Sequence, residues 1–299
     1  MLQPKLLELE KSFNKSVLTQ IFDPVLEAAE VELWIKRDDL IHPVISGNKW
    51  RKLKYILNHV LIKGSDTIIS MGGAYSNHLH ALAYVGKALN LKTVGYIRGE
   101  KPKKMNPTLL DLQQWGMELR FVSRADYRVL RQYKDCDALP ELKKNEYWLP
   151  EGGATKLALK GVAEILTEID LKMDVLCVPC GTGTTLAGLV EASQGEYDLY
   201  GFSALKGGEF LVQDVSALIT TQKTNWVIQL DYHFAGFAKA NNELLLFIEF
   251  FLKQHAIELE HIYTGKMLYG LYDLIRKKHF KPGQRILALH TGGLQGNRG

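Results

Sequence analysis

The residues best suited to chemistry lie in the stretch SGNKWRKLKY, where a turn-forming Ser-Gly-Asn leads directly into four basic side chains, Lys49, Arg51, Lys52 and Lys54. The pattern predicts a helix with Lys49 in its first turn. Cations are stabilised at the C-terminal end of a helix, so this position disfavours the ammonium form and should lower the pKa of Lys49. Because a neutral amine can attack an aldehyde, Lys49 is a candidate for a Schiff base. We interpret the other three side chains as solvated charges of the same helix.

A glycine-rich segment, CGTGTTLAGL, follows an apolar run and opens another predicted helix. Glycines let backbone N–H groups approach an anion, threonine hydroxyls add donors, and the helix N-terminus adds a positive dipole. The segment is therefore a candidate phosphate site, although a plain strand-to-helix turn would show the same pattern. The residues expected to hold the phosphate are Gly181, Thr182, Gly183, Thr184 and Thr185.

The form of this segment narrows the choice of ligand. It lacks the Lys-Ser/Thr pair of a nucleotide-binding P-loop, and Leu186 stands where a dinucleotide fingerprint has its third glycine. A ligand with one terminal phosphate fits better. Together with the reactive amine of Lys49, a single phosphate suggests pyridoxal 5'-phosphate held as a Schiff base.

Two further glycine-rich segments follow apolar runs. In MGGAYSNHLHALA, the side chains of Ser76, Asn77 and His78 come together at a predicted helix start, where they could hold a substrate carboxylate. An ordinary helix cap would also explain Ser76. In ALHTGGLQG, the glycines after Thr291 permit close approach of a ligand, or form only a turn.

These groups need a scaffold that brings several strand ends together, and the order of elements is typical of one. Short apolar runs alternate with longer amphipathic runs, which predicts an α/β protein with parallel sheet and ligands at the carboxyl ends of strands. Strands are predicted at 67–73 and 174–181 and in KTVGYIRG, MELRFVS, YGFSAL, NWVIQL and RILALHTGG. Helices are predicted at 76–90 and in PTLLDLQQWG and TTLAGLVEASQ.

Composition argues against several other classes of protein. The 299 residues are 46% hydrophobic and 23% charged, which is typical of a globular protein. The formal charge of +4 is mild, and the basic runs at 101–104 and 276–279 lack aromatic residues, so we expect solvated surface there and no nucleic-acid binding. Without a membrane-spanning run or a signal-peptide pattern, we expect a cytoplasmic protein.

The cysteines do not predict a disulfide framework. Cys177 and Cys180 form a C-x-x-C, but the pair lies inside the apolar run VLCVPC, and Cys136 is distant in sequence. A redox C-x-x-C normally opens a helix, and a zinc site needs further ligands. We therefore expect buried strand thiols.

The order and spacing of the motifs resemble one family of enzymes. The segments RDDL, SGNKWRKL, GGAYSNH, PEGGA, CGTGTTLAGL, YTGKMLYGL and HTGG occur as in 1-aminocyclopropane-1-carboxylate deaminases and D-cysteine desulfhydrases, from about residue 5 onward. The resemblance implies the fold of fold-type II pyridoxal-phosphate enzymes, related to the tryptophan synthase β subunit. In that fold two open, mostly parallel sheets hold the cofactor in the cleft between two domains. The larger domain would comprise 1–46 and 159–299, the smaller one 47–158, and the enzyme would be a homodimer.

The resemblance also implies roles for single residues. Lys49 matches the lysine that forms the Schiff base and later moves protons at the substrate. Gly181 to Thr185 match the phosphate site, and Asn77 matches the residue that binds the 3' oxygen of the cofactor. Substrate contacts are implied for Ser76, Asn77, His78 and Tyr263, and contacts to the cofactor ring for Thr264 and Thr291.

Three positions bear on the substrate. The deaminases of the family usually read SNQ, YEGK and HLGG, whereas the desulfhydrases read SNH, YTGK and HTGG, as this chain does at His78, Thr264 and Thr291. A neutral threonine near the pyridine nitrogen implies a milder electron sink, adequate for a good leaving group such as thiolate. In AGFA, Phe237 stands where the deaminases carry a tyrosine. The segments near 99–108 and 203–224 are shorter than is usual in the family. The contacts that loops make there in the family are therefore not implied for this chain.

The resemblance favours D-cysteine desulfhydrase, which releases pyruvate, ammonia and sulfide by α,β-elimination. The alternatives are a 1-aminocyclopropane-1-carboxylate deaminase, a dehydratase or β-replacement enzyme of the same fold, and a non-catalytic pyridoxal-phosphate binder. Intact Ser76 and Tyr263 argue against simple cofactor binding, which needs neither. A nucleotide-binding protein is the remaining alternative.

Overall fold

The computed structural model describes residues 1–220 and 225–298, which form two sheets surrounded by helices. The ten strands are β1 Leu18–Ile21, β2 Glu32–Lys36, β3 Thr67–Gly72, β4 Lys92–Arg98, β5 Glu118–Val122, β6 Glu146–Leu149, β7 Val175–Cys180, β8 Asp198–Ser203, β9 Trp226–Gln229 and β10 Arg285–Leu289. The helices are α1 Pro4–Glu10, α2 Pro24–Ala28, α3 Asn48–Lys63, α4 Asn77–Leu89, α5 Pro107–Gln114, α6 Arg124–Leu130, α7 Lys156–Thr167, α8 Thr184–Ala192, α9 Phe210–Leu218, α10 Asn242–His255 and α11 Thr264–Arg276.

The two sheets are both open and mostly parallel. The larger sheet has the order β1-β2-β10-β7-β8-β9, and the smaller sheet has the order β5-β4-β3-β6. The β1–β2 pair is antiparallel, and every other pair is parallel. The central strands β3 and β7 are buried along their whole length, as expected for strands covered on both faces by helices. The predicted α/β class with two open parallel sheets is confirmed.

Helix α3 is the first element of the part of the chain that carries the smaller sheet. It begins after Gly47, whose φ of 65° lies in the left-handed region, and a Cβ there would lie 1.9 Å from the carbonyl oxygen of Thr291. It ends at Gly64, which is left-handed and bonds back to the carbonyls of the last turn. Its apolar side chains recur at helical spacing and enter one core: Trp50, Leu53, Ile56, Leu57 and Val60. This anchoring fixes where the basic side chains of the helix point.

Helix α7 connects the two halves by packing on both. A Cβ at Gly161 would lie 1.9 Å from the carbonyl oxygen of Arg51, so α7 and α3 approach at backbone distance. On its other side, Val162 fills the space above Gly188 of α8, at 2.7 Å from a Cβ built there. The strands of the smaller sheet all lie within the proposed domain 47–158, and the boundary at 158 falls in the first turn of α7. The division into 1–46 with 159–299 and 47–158 remains a proposal.

Several smaller expectations can be compared with the structure. The lysines and arginine of the basic runs at 101–104 and 276–279 are exposed. Cys177 and Cys180 are buried in β7, as predicted, and burial raises the pKa of both thiols. None of the helices formed by the described residues has the length and apolar character that a bilayer crossing requires. The shortened segment at 203–224 includes 221–224, which lie outside the described residues.

Candidate active site

The carboxyl ends of both sheets open onto one cleft of about 940 Å³. The smaller sheet contributes the segments that follow β3, β4, β5 and β6, and the larger sheet contributes those that follow β7, β8 and β10. Most of the side chains expected at the site line this cleft: Lys49, Ser76, Asn77, His78, Gly181, Thr182, Gly183, Thr184, Thr185, Tyr263 and Thr291. Thr264 does not line it.

Lys49 lies at the start of α3 and reaches into the cleft half-buried. Its amino group donates to Asn48 Oδ1 at 2.7 Å, and the amide of Asn48 donates to the hydroxyl of Thr185 at 2.9 Å. Burial lowers the pKa of Lys49 to about 8, and attraction to Glu260 only partly opposes this. The lowered pKa agrees with the sequence prediction, but its main cause is loss of solvent and not the helix dipole.

The interpretation of Lys52 as a solvated charge is wrong. The side chain is 4% exposed, and its amino group donates to the carbonyl of Gly152 at 3.1 Å and to the hydroxyl of Thr182 at 3.4 Å. Burial, and then repulsion from Lys49, hold its pKa well below the ordinary range for lysine. A signal was available, because residues three apart share a helix face and Lys52 stands one turn beyond Lys49.

Arg51 and Lys54 are also buried, at 6% and 9% exposure, so their assignment as solvated charges is wrong too. Their charged ends point away from the cleft and form ion pairs with carboxylates. Arg51 pairs with Asp38 at 3.1 Å and with Glu168, and Lys54 pairs with Glu10 at 2.6 Å and Glu164 at 2.9 Å. Because these carboxylates are 13 to 117 residues away in sequence, the local pattern could not reveal them.

The glycine-rich loop has the shape of an anion site. Gly183 immediately precedes α8 with φ 71°, and a Cβ there would lie 2.6 Å from Val215. The hydroxyls of Thr182 and Thr184 are 2.9 Å apart, and the amino group of Lys52 approaches the same loop. Backbone N–H groups at a helix start, hydroxyls and a buried amine form a donor set suited to a phosphate, whose charge would favour the protonated amine.

The start of α4 presents the three polar side chains expected there. Ser76 caps the helix by accepting from Leu79 N at 3.2 Å, which is the ordinary role considered for it. The amide oxygen of Asn77 accepts a hydrogen bond from Gln295, so its NH₂ group remains available as a donor. Gln295 was not among the predicted residues, since nothing in its local pattern marks it.

His78 is buried at 4% exposure, and only one ring nitrogen is bonded. Ser70 donates its proton to the carbonyl of Leu149 at 2.7 Å, so at 2.8 Å from His78 Nε2 it must accept from that nitrogen. Nδ1 then carries a lone pair, and it has no hydrogen-bond partner among the described residues. Burial, together with repulsion from Lys49 and Lys52, lowers the pKa of His78 to about 3, so the ring is neutral.

Tyr263 faces the cleft beside Phe237, with the ring centres 5.9 Å apart. Burial raises its pKa far above the ordinary value, so the phenol keeps its proton. The next residue, Thr264, is fully buried and donates its hydroxyl to Glu260 at 3.0 Å. The carboxylate of Glu260 also accepts from the backbone N–H groups of Ile262, Tyr263 and Thr264 at 2.6 to 3.0 Å. Glu260, which the motifs did not single out, therefore fixes the turn that carries Tyr263.

Comparison with known proteins identifies the family. The family model described as pyridoxal-phosphate dependent enzyme matches residues 22–292. The chain belongs to this family. This pyridoxal-phosphate enzyme is 34% identical, over 89% of its length and 85% of the relative's, to a protein of Pyrococcus horikoshii provisionally named a 1-aminocyclopropane-1-carboxylate deaminase. It is 31% identical, over 89% of its length and 73% of the relative's, to the mitochondrial bifunctional D-cysteine desulfhydrase/1-aminocyclopropane-1-carboxylate deaminase of Arabidopsis thaliana.

A solved structure extends this likeness to the fold. The structure of a homologue of 1-aminocyclopropane-1-carboxylate deaminase superposes with a TM-score of 0.82 at 28% identity, covering 99% of this chain and 97% of the other. The pyridoxal-phosphate enzyme is thus a member of the group that contains these deaminases and D-cysteine desulfhydrases, as its motifs implied. The donor set around the glycine-rich loop and the adjacent amine of Lys49 fit a cofactor that has one phosphate and one aldehyde.

Proposed function

We propose that the enzyme is a D-cysteine desulfhydrase. The observation that carries the proposal is the pair of groups that Lys49 and Tyr263 bring to the cleft: an amine with a lowered pKa that can take a proton from Cα, and a phenol that keeps its proton for the leaving group. This pair suits β-elimination from cysteine, which has a hydrogen on Cα and a leaving group on Cβ, whereas 1-aminocyclopropane-1-carboxylate has no hydrogen on Cα.

The roles of the other side chains follow from their chemistry. Lys52, Thr182 and Thr184 would bind the phosphate of the cofactor, and the NH₂ group of Asn77 would donate to its 3' oxygen. When bound, pyridoxal phosphate supplies an aldehyde for the substrate amine and a ring that delocalises the electron pair left at Cα. Lys49, with its lowered pKa, takes the proton from Cα.

The remaining steps concern the leaving group. Tyr263 remains protonated and can donate to the departing sulfur, and Ser76 and the start of α4 bind the substrate carboxylate. The Cα–H and Cβ–S bonds break, and the Cβ–S electron pair leaves with sulfur. One water then completes the conversion of D-cysteine to pyruvate, ammonia and sulfide.

Two further observations support elimination of a thiol over ring opening. Phe237 places a hydrocarbon ring beside Tyr263, so this position supplies no second hydroxyl. His78, Thr264 and Thr291 are the residues that the desulfhydrases of the family usually have. Thr264 is not an isolated neutral group, however, because its hydroxyl is bonded to the carboxylate of Glu260.

The test is keto-acid release from cofactor-loaded enzyme, with D-cysteine, L-cysteine and 1-aminocyclopropane-1-carboxylate offered in parallel. We expect pyruvate and sulfide in equal amounts from D-cysteine alone. Lys49→Ala should abolish the yellow colour of the loaded protein and lower turnover by about 10²–10⁴-fold, because the group that moves the proton is lost. Lys63→Ala, at the exposed end of the same helix, is the matched control and should keep full activity.

The other outcomes separate the alternatives. Release of 2-oxobutyrate from the cyclopropane would overturn the proposal in favour of a deaminase. Pyruvate from L-cysteine would overturn the stereochemical part. A yellow protein that turns over none of these compounds would favour a non-catalytic binder or an enzyme with another substrate.

A further inference from the structure

One wall of the cleft is formed by a short segment between β9 and α10, residues 233–239. Within this segment Phe234, Ala235 and Ala238 have φ angles of 50°, 64° and 54°. Residues that carry a Cβ rarely adopt this left-handed conformation, because the Cβ crowds the backbone. Such strain persists only where surrounding contacts hold the backbone in place, and it is concentrated at functional sites. The contacts that hold this segment therefore bear on the site.

The segment contains two consecutive turns that share Gly236. The N–H of Gly236 donates to the carbonyl of His233 at 2.9 Å, and the N–H of Lys239 donates to the carbonyl of Gly236 at 3.1 Å. The amino group of Lys266 donates to the same two carbonyls, at 2.9 Å and 2.8 Å. A single side chain of α11 therefore ties both turns.

Lys266 is an unusual residue for the interior of the protein. Its side chain is 1% exposed, and burial lowers its pKa to about 8, although attraction to Glu260 opposes this. Lysine is rarely buried so completely, because its amino group must be removed from water. A hydrocarbon side chain would fill the same space without that penalty. The packing of α11 therefore does not explain the lysine, whereas its bonds to the two carbonyls do.

The bonds of Lys266 lie where the anchored part of the segment meets its exposed part. The ring of Phe234 packs on Tyr269 of α11, with the ring centres 4.9 Å apart. Residues 237–240, in contrast, are exposed. The bond from Lys266 to the carbonyl of Gly236 lies at the boundary between the two parts.

The exposed part includes Phe237, which contacts a residue of the site. Its side chain is 48% exposed, and its ring lies 5.9 Å from the ring of Tyr263 at an angle of 65°. Aromatic rings at this distance and inclination favour a defined mutual orientation. Because Lys266 follows Tyr263 by three residues, the first turn of α11 both carries the phenol and holds the segment beside it.

We propose that Lys266 is a positioning residue, which fastens the segment 233–239 as a wall of the cleft and, through Phe237, orients the phenol of Tyr263. The fastening needs no particular substrate, whereas the effect on turnover rests on the role proposed above for Tyr263. Without the amine, the strained residues would relax out of the left-handed region and carry Phe237 away. The substrate would still bind, but the phenol would be less well aligned, so kcat should change more than KM.

The first measurement is trypsin cleavage of the cofactor-loaded protein after Lys239, which is exposed, followed by the mass of fragment 1–239. Lys266→Met keeps a side chain of similar length and removes the donor. Cleavage should become about 10- to 100-fold faster, since two bonds that keep the segment closed are lost. Lys253→Met, which removes an exposed lysine from α10, is the control and should leave this rate unchanged.

Urea unfolding of the same proteins separates fastening from a general structural role. We expect Lys266→Met to unfold at nearly the urea concentration of the parent protein. An unchanged rate of cleavage after Lys239 would overturn the inference. So would faster cleavage at every site together with easier unfolding, because Lys266 would then stabilise the whole protein and not the segment.

The second measurement is a double-mutant cycle on D-cysteine turnover. Phe237→Ala and Lys266→Met should each lower kcat about 3- to 10-fold, and the double variant should lose no more than either, because both act through the same ring. Phe237→Ala should keep the slow cleavage of the parent protein, since the bonds of Lys266 remain. Losses of kcat that multiply would overturn the link from Lys266 to Tyr263.

The two measurements keep this inference apart from the proposed function. A parent enzyme that does not turn over D-cysteine would overturn the desulfhydrase proposal, and the cleavage comparison would still decide whether Lys266 fastens the segment. Full D-cysteine turnover by Lys266→Met, with cleavage as slow as in the parent, would overturn this inference and leave the desulfhydrase proposal standing.

Discussion

Helix α3 carries basic side chains on two faces, and their pKa is lowered on one face and raised on the other. On the cleft face, Lys49 and Lys52 are removed from water without a carboxylate in contact, and burial lowers the pKa of both. On the rear face, burial also disfavours the charges of Arg51 and Lys54, but bonds to carboxylates outweigh it and raise the pKa of each. Burial alone therefore does not decide the state of a basic group. The presence of a carboxylate partner decides it, and on the cleft face an anionic ligand would act as that partner.

The rear face should matter most for stability. Arg51→Met leaves the fully buried carboxylate of Asp38 with Lys36 as its remaining cation, at 3.2 Å. We expect the free energy of unfolding to fall by about 3 kcal/mol, because a buried carboxylate that loses one of its two cations is only partly compensated. Urea unfolding of the protein without cofactor measures this. Lys63→Met, which removes an exposed ion pair with Asp137 from the same helix, should cost less than about 1 kcal/mol. Equal effects would contradict the comparison.

The basic side chains of the cleft face should affect cofactor affinity and not stability. Lys52→Met removes a buried amine that has no carboxylate partner, so the free energy of unfolding without cofactor should be unchanged or higher. Affinity for pyridoxal phosphate should fall about 10- to 100-fold, since a charged hydrogen bond to the phosphate is lost. Equilibrium titration of the cofactor, followed by its colour, measures this. A variant that unfolds more easily yet binds the cofactor as well as before would show that Lys52 is structural.

The smallest expected effect is the pH dependence of the rate at which Lys49 captures the cofactor. Since the pKa of Lys49 is about 8 in the folded protein and that of an ordinary lysine is 10.5, the amine is mostly protonated below pH 8. The rate at which the cofactor-free protein captures pyridoxal phosphate should rise about tenfold per pH unit below 8 and level off above it, because only the neutral amine reacts. Lys49→Ala gives the background from other lysines. A rate that keeps rising to pH 10 would mean that the cleft does not shift the pKa.

The lowered pKa of Lys49 also changes how folding stability depends on pH. The direction is opposite to that of a lysine paired with a carboxylate, whose pKa is raised. Folding lowers the pKa of Lys49, so the folded state must bind the proton less well than the unfolded state. The resulting penalty is fully present below pH 8, decreases as the pH rises from 8 to 10.5, and is absent above 10.5.

The sequence was sufficient for what depends on local pattern and motif order. Strands β3, β4, β5, β7, β8, β9 and β10 and helices α4, α5 and α8 could be predicted, and so could the side chains after β3, β7 and β10 that line the cleft. The short strands β1, β2 and β6 could not be distinguished from loops by periodicity. The acidic partners of Arg51 and Lys54 were invisible because they come from distant segments, and so was the role of Gln295 beside Asn77. The homodimer and the cytoplasmic location remain predictions.

The strand order of the larger sheet has a consequence for how the protein is made. Strand β10 lies between β2 and β7, yet it follows every other strand along the chain. During synthesis the smaller sheet can form early, since β3 to β6 leave the ribosome together. In the larger sheet, β2 can pair with β1 and β7 with β8, but each keeps one unpaired edge until residue 289 has emerged. Until then two apolar strand edges are open to pairing with other chains, so slow translation or a premature stop before Arg285 exposes the protein to aggregation.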